Sequence, residues 1–467
     1  MRTRCSRLIR ILAAGYAAAA SVSGATAEPA SPPLTSIASQ LTRSRTAGWD
    51  LVSLRTGVKQ VVTLRASLPA GDRFAPPENR AVPTLTGALL DQGTSRQSKF
   101  SIAEKLEGVG AQISFSVEST LLQIRAKCLS KDLPLLLELL AEQLREPAFA
   151  AEEVEKSKRQ WTGFLRRQME STDFRASESF SLLLYPPGHP NRPEPAEAFI
   201  AAIQEVTPDQ LRAFHAEFYG PESGTLVVVG DLDPATVQHE VARVFRDWRG
   251  GRRLVAPAAA AVRISPSRQD YTVTMSDKTS VSVVWGQRTG LTARHEDALT
   301  LRVGAAVLGR GFTSRLLSKV RDEEGLTYDI RGGLASDTFS DGEFRITASF
   351  APESLERGLA STRRELEAWH RSGITADELS RVKSDLIGSY KVGLATTDGM
   401  AGAILDSIHL GYDLSWLDRY PQVIAALSLE RVNQTISSYV NPDQLVLVKA
   451  GTLPDRPSSA SVSGSAP

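Results

Sequence analysis

The feature that most limits what this chain can fold into is an internal duplication. "EVEKSKRQWTG" (Glu153–Gly163) aligns with "ELSRVKSDLIG" (Glu378–Gly388). "YGPESGTLVVVGDL" aligns, after one gap, with "YVNPDQLVLVKAGTL". In both copies a helix precedes a hinge and a continuous apolar strand. One supersecondary plan used twice makes a duplicated α+β fold the economical reading, two sheet-plus-helices halves joined by a linker. "RGGRRLVAPAAAAVRISPS" breaks all periodicity near the middle of the chain. It reads as the linker, 249–268, between an N-terminal domain over 48–248 and a C-terminal domain over 269–454.

Period-2 and continuous apolar runs mark strands in "QVVTLRASL" and "TLVVVG", with "SVSVVWGQ" and "LVLVKAG" as their counterparts in the second half. Helical spacing appears in "DLPLLLELLAEQLRE" and in "PESLERGLASTRRELEAWHRSG", where Leu355, Leu359, Leu366 and Trp369 form a stripe ended by Gly373. "TPDQ" at Thr207 and "TADE" at Thr375 are capping-box starts. These stripes are expected to be core.

At 467 residues the chain has ample length for such a core, and 54 basic against 53 acidic side chains leaves no global field that would favour nucleic acid. The N-terminus reads as an export signal over 1–27: Arg2, Arg4, Arg7 and Arg10, then the apolar "ILAAGYAAAASVSG", then "ATA" before Glu28. No later segment is apolar enough to span a bilayer. The mature chain is therefore expected outside the cytoplasm, periplasmic if the source is Gram-negative. Residues 28–47 and 455–467 are expected to be mobile. Cys128, the cysteine left after signal removal, alternates with Leu122, Ile124 and Ala126 and reads as a buried small hydrophobe.

Three further stretches carry a resemblance. "YPPGHPNRP" (Tyr185–Pro193), "LRAFHAEFYGPESGTLVVVGDLDP" and "VLGRGFTSRLLSKVRDEEGLTY" (Val307–Tyr328) stand in the order and spacing of the pitrilysin/insulinase (M16) family of zinc peptidases. From about Asp50 to Leu453 the chain resembles the family's short two-domain members. Active members carry His-x-x-Glu-His just before a Gly-Thr pair. On a helix, residues four apart share a face, so two histidines grip one zinc while the glutamate polarises its water. Here the stretch is "TLTGALLDQGT". Thr84 and Ala88 hold the histidine positions and Gly87 holds the glutamate position. The third ligand, a glutamate on a later helix, aligns with Gly163. None of the six histidines pairs with another at helical spacing, so this chain is expected to bind no metal.

The second half retains what the first has lost. In the family, an Arg and a Tyr in R-x-x-x-G-L-x-Y bind the substrate backbone and steady the transition state; Arg321 and Tyr328 fit, with Gly325 and Leu326 between them. A guanidinium and a phenol both donate to a carbonyl oxygen that gains negative charge. The neighbouring glycine-rich loop departs from the family: Arg310 stands between Gly309 and Gly311, and Phe312 follows. The resemblance implies a clamshell built by two chains, with zinc held by a catalytic partner bearing His-x-x-Glu-His. This chain would contribute Arg321 and Tyr328 to hydrolysis of a peptide or unfolded segment. The alternative is a non-proteolytic scaffold or peptide-binding protein on the same fold.

Overall fold

The structure, a computed structural model, describes residues 36–252 and 269–453. The export signal, most of the linker and the C-terminal tail lie outside the described residues. From Ile37 onward the described chain forms one compact unit.

Two sheets share one plan. The first contains β1 (Thr42–Thr46), β2 (Trp49–Arg55), β3 (Val61–Leu68), β4 (Gln112–Val117), β5 (Leu122–Leu129) and β6 (Thr225–Gly230), in the order β1-β2-β6-β3-β5-β4. The second contains β7 (Gln269–Thr274), β8 (Val281–Arg288), β9 (Thr327–Ala335), β10 (Glu343–Phe350) and β11 (Val446–Gly451), in the order β7-β11-β8-β10-β9. Without β1 the two orders superpose strand for strand. β2–β6 and β7–β11 are the parallel pairs, and the other pairs are antiparallel. This is the duplication that the aligned segments imply.

β1 is an addition to the expected plan. Residues 28–47 read as a mobile segment, yet Ile37–Gln40 is helical and Thr42–Thr46 pairs with β2. The turn explains it. Ala47 and Gly48 both have positive φ, 45° and 89°, as a tight two-residue hairpin requires. Arg43 and Asp50 then pair across the ladder at 2.7 Å. The expected capping boxes at Thr207 and Thr375 are both formed.

β6 and β8 are buried along their whole length. Such strands need cover on both faces. On one face each sheet packs against helices of its own half, in cores built around Leu64, Leu85 and Leu136, and around Trp285, Leu308 and Trp369. The other face is covered by a helix from the opposite half. Thr397–His409 lies on β3 and β6, where Ala401, Ile404 and Leu405 meet Val52, Val227 and Val229. Thr172–Leu184 lies on β8 and β11, where Ala176 and Phe180 meet Val284, Val446 and Val448. The offset that aligns Glu153 with Glu378 also carries Thr172 and Asp173 onto Thr397 and Asp398, so the exchanged helices are themselves repeats. Each is pinned by a hydroxyl pair at its start, Thr172–Ser282 and Thr397–Thr63, both 2.8 Å. Arg65 grips Asp398 with two hydrogen bonds of 2.6 and 3.0 Å.

Phe180 is fully buried in this exchange. Phe180→Ala should lower the unfolding free energy by about 3–5 kcal/mol. Because the helix belongs to one half and covers the other, urea unfolding should remain a single transition at lower midpoint. Two separated transitions would show that the halves do not depend on each other.

Candidate functional site

The helix carrying the lost metal motif runs Val82–Ala88 and packs against the helix Ala151–Met169, which carries Gly163. All four positions therefore lie on two neighbouring helices. Their surroundings do not suit a metal. A Cβ at Gly87 would stand 2.3 Å from the Val117 Cγ2 and 3.3 Å from the Leu122 Cδ1. Valine is stiff about its one side-chain torsion, so the glutamate volume has been taken by hydrocarbon. Thr84 donates to the Asp72 carboxylate at 2.7 Å. Ala88 offers no donor atom, and Gly163 has only Arg167 nearby, 3.5 Å from where a Cβ would be. Among the described residues no three His, Cys, Asp or Glu side chains gather as a metal site. Zinc does not fit here.

Burial pushes the Asp72 carboxyl up to about 6, against the opposing Thr84 hydrogen bond and the Arg80 charge. Cys128 is likewise pushed up, to about 12, by burial and then by Asp132, which suits an inert core thiol.

Arg321 and Tyr328 come together in a different cleft, of about 640 Å³, on the second half. The glycine-rich turn lines it too, through Gly309, Gly311 and Phe312. Helix Glu296–Gly309 ends on Gly309, where a Cβ would stand 2.1 Å from the Gly332 amide nitrogen of β9. This glycine lets helix and strand touch. Gly311 has φ +75°, a conformation that glycine adopts freely. Phe312 then projects into solvent, 78% exposed, and Tyr328 is 85% exposed. The Arg321 guanidinium lies over both rings, 5.7 Å from the Phe312 centroid and 5.2 Å from the Tyr328 centroid. Cation–π contact thus holds the charge where a ligand can reach it.

Two features of this cleft were not legible in the motif. Arg321 sits on a π-helical turn, Leu317–Glu323, a rare geometry that often marks functional sites. Arg302, Arg310 and Arg331 also line the cleft, with Asp329 as its acidic residue. They arrive from a helix, a loop and a strand, so no single stretch contains them. A salt bridge to Asp337 engages Arg302, and Arg310 approaches Asp385 at 3.4 Å.

The Gly-His-Pro segment has a joining role. His189 meets Asp341 at 3.0 Å, and Arg288 pairs with the same carboxylate at 2.8 Å. Burial acts to raise the Asp341 carboxyl, but these two hydrogen bonds outweigh it and hold it below its ordinary range. Tyr185 hydrogen-bonds to Glu343 beside them.

Comparison with known proteins bears on the family and the fold. The sequence model described as Insulinase (Peptidase family M16) matches residues 51–178, and the one described as Peptidase M16 inactive domain matches residues 205–386. An uncharacterized zinc protease of Mycobacterium tuberculosis is 28% identical over 313 residues, 66% of this chain and 69% of its own. A non-peptidase homolog of Helicobacter pylori is 22% identical over 370 residues, 77% of this chain and 82% of its own. In fold, the chain is similar to the crystal structure of a peptidase M16 inactive domain from Pseudomonas fluorescens. The TM-score is 0.81 at 24% identity, covering 89% of this chain and 98% of that one.

Two outcomes follow for the altered metal helix. Restoring the motif by T84H, G87E and A88H should yield no stoichiometric zinc by elemental analysis. Gly87→Glu by itself should cost about 1–3 kcal/mol or more through overpacking. Asp72→Asn should change the pH profile of stability. The folded carboxyl binds its proton more tightly than the ordinary value of 3.8 allows. Its contribution is therefore full below about pH 4 and lost as pH rises through about 6. The variant should be the more stable protein at pH 7, with the gain vanishing near pH 4 in a thermal-melt series.

Proposed function

Because the chain belongs to the M16 (insulinase) peptidase family, we propose that it is the exported, non-catalytic subunit of a two-chain zinc peptidase. The observation that carries this reading is the selectivity of the loss. The Gly87 position is filled by Val117, whereas Arg321 and Tyr328 stand together, accessible, in an open cleft. Drift would have no reason to erase one functional set and leave the other in working geometry.

In this reading the zinc belongs to the partner and supplies an activated water there. This chain grips the substrate. β9 is the outer strand of the second sheet, so an extended peptide can continue its ladder by main-chain hydrogen bonds. Tyr328 lies near the start of that strand and Arg321 on the turn just before it. Arg321 donates from a charged guanidinium. Its bond to a peptide carbonyl strengthens as negative charge builds on that oxygen, which favours the transition state over the bound substrate. Contact with the Phe312 and Tyr328 rings limits the Arg321 rotamers that must be frozen on binding. Among the described residues no helix is long and apolar enough to cross a membrane. The arginine-led apolar N-terminus supports export, periplasmic if the source is Gram-negative.

A second reading keeps the peptide grip without proteolysis, as a scaffold or peptide-binding protein. The similarity to a relative described as a non-peptidase homolog favours it. Arg321→Ala separates the two. In a reconstituted pair with the zinc-bearing subunit, the peptidase reading predicts a kcat loss of about 10² or more on a quenched fluorescent peptide. Tyr328→Phe should cost less, because the ring that stacks on Arg321 remains. Unchanged turnover in R321A would leave the binding-only reading.

A further inference from the structure

A second cleft, of about 670 Å³, lies beside the altered metal helix and shares no residue with the Arg321 cleft. Its size is that of a small-ligand site. The wall combines apolar surface from Leu165, Phe174 and Phe199 with the cations Arg73 and Arg80.

Arg73 is the unusual member. One terminal nitrogen of its guanidinium is closed off from solvent with no hydrogen-bond acceptor among the described residues, while Arg73 itself lines the cleft. Burial lowers its basicity, and no carboxylate acts against that effect. Among the described residues its guanidinium packs over the Phe74 ring, 5.4 Å from the centroid. A half-buried guanidinium without an anion is costly, and such groups are normally paired. Arg80 is exposed and has no ion pair among the described residues. The acids of the wall do not fill the gap. Glu178 is consumed by Arg175 at 3.0 Å and by the Ala196 amide at 2.6 Å. Asp72 accepts from Thr84 and feels the Arg80 charge without forming a close ion pair with it, and Glu194 is exposed. Arg192 is tied to the Leu182 and Tyr185 carbonyls.

We infer that this cleft binds the C-terminal end of a peptide, its carboxylate on Arg73 and Arg80 and its last apolar side chain against Phe174 and Phe199. A fork-shaped guanidinium matches a carboxylate, and the adjoining hydrocarbon sets the ligand apart from a simple inorganic anion. The site stands whether or not the chain takes part in proteolysis.

Fluorescence anisotropy on the full mature chain tests it. The probe is a labelled short peptide ending in phenylalanine, as the free acid and as the C-terminal amide. The free acid should bind about tenfold or more tightly than the amide. Arg73→Gln should abolish that difference and Arg80→Gln should reduce it. Equal affinity of acid and amide overturns the inference, as does an acid preference that survives in R73Q. Competition by inorganic phosphate as effective as by the peptide also overturns it, since the apolar wall would then contribute nothing. Should R73Q not fold, the wild-type comparison and R80Q decide the question by the same criteria.

Discussion

The exchange of helices between the two sheets is the contact on which the rest depends. Strands such as β6 and β8 are too apolar to face water, and each half supplies the cover that the other lacks. Thr172–Leu184 and Thr397–His409 therefore act as reciprocal clasps. Through them the orientation of one half becomes a condition for the folding of the other. The joint is polar as well as apolar: Ser67 meets His409 at 2.8 Å, and burial, helped by the Arg294 charge, lowers the His409 imidazole to about 4, so it stays neutral. A neutral ring can be buried there without a counter-charge.

A rigid joint of this kind allows one half to change its chemistry without disturbing the other. The metal helix has kept its place on the sheet while its functional positions became Thr, Gly and Ala. Val117 now occupies space that a glutamate would need, and Thr84 satisfies Asp72. Across the joint, the cleft around Arg321 retains a shaped backbone at Gly309 and Gly311 and a stacked cation. Loss on one side and an open, arginine-lined cleft on the other are the contrast on which the proposed binding role rests.

Much of this was legible in the residues. The repeat announced two like sheets, and the capping boxes at Thr207 and Thr375 started helices where they were expected. The motif spacing placed Arg321 beside Tyr328. What escaped has physical reasons. β1 is a polar strand, "TRSRT", whose pairing rests on a turn at Ala47–Gly48 and an ion pair rather than on an apolar pattern. An amphipathic helix announces a buried face but not which sheet will bury it, so the exchange was invisible. The π-helical turn under Arg321 leaves no signature in "LSKVRDE". Arg302 and Arg331 reach the cleft from separate elements, and the closed-off nitrogen of Arg73 depends on packing that no local stretch encodes.

The central claim is that this chain grips substrate for a metal that another chain holds. Its most direct test is the zinc content of the native assembly purified through this chain from the exported fraction. The account predicts a complex with a second, similar-sized subunit bearing His-x-x-Glu-His, one zinc per pair, and no zinc on this chain after the two are separated. A chain that elutes without a partner, or that retains stoichiometric zinc by itself, would contradict it.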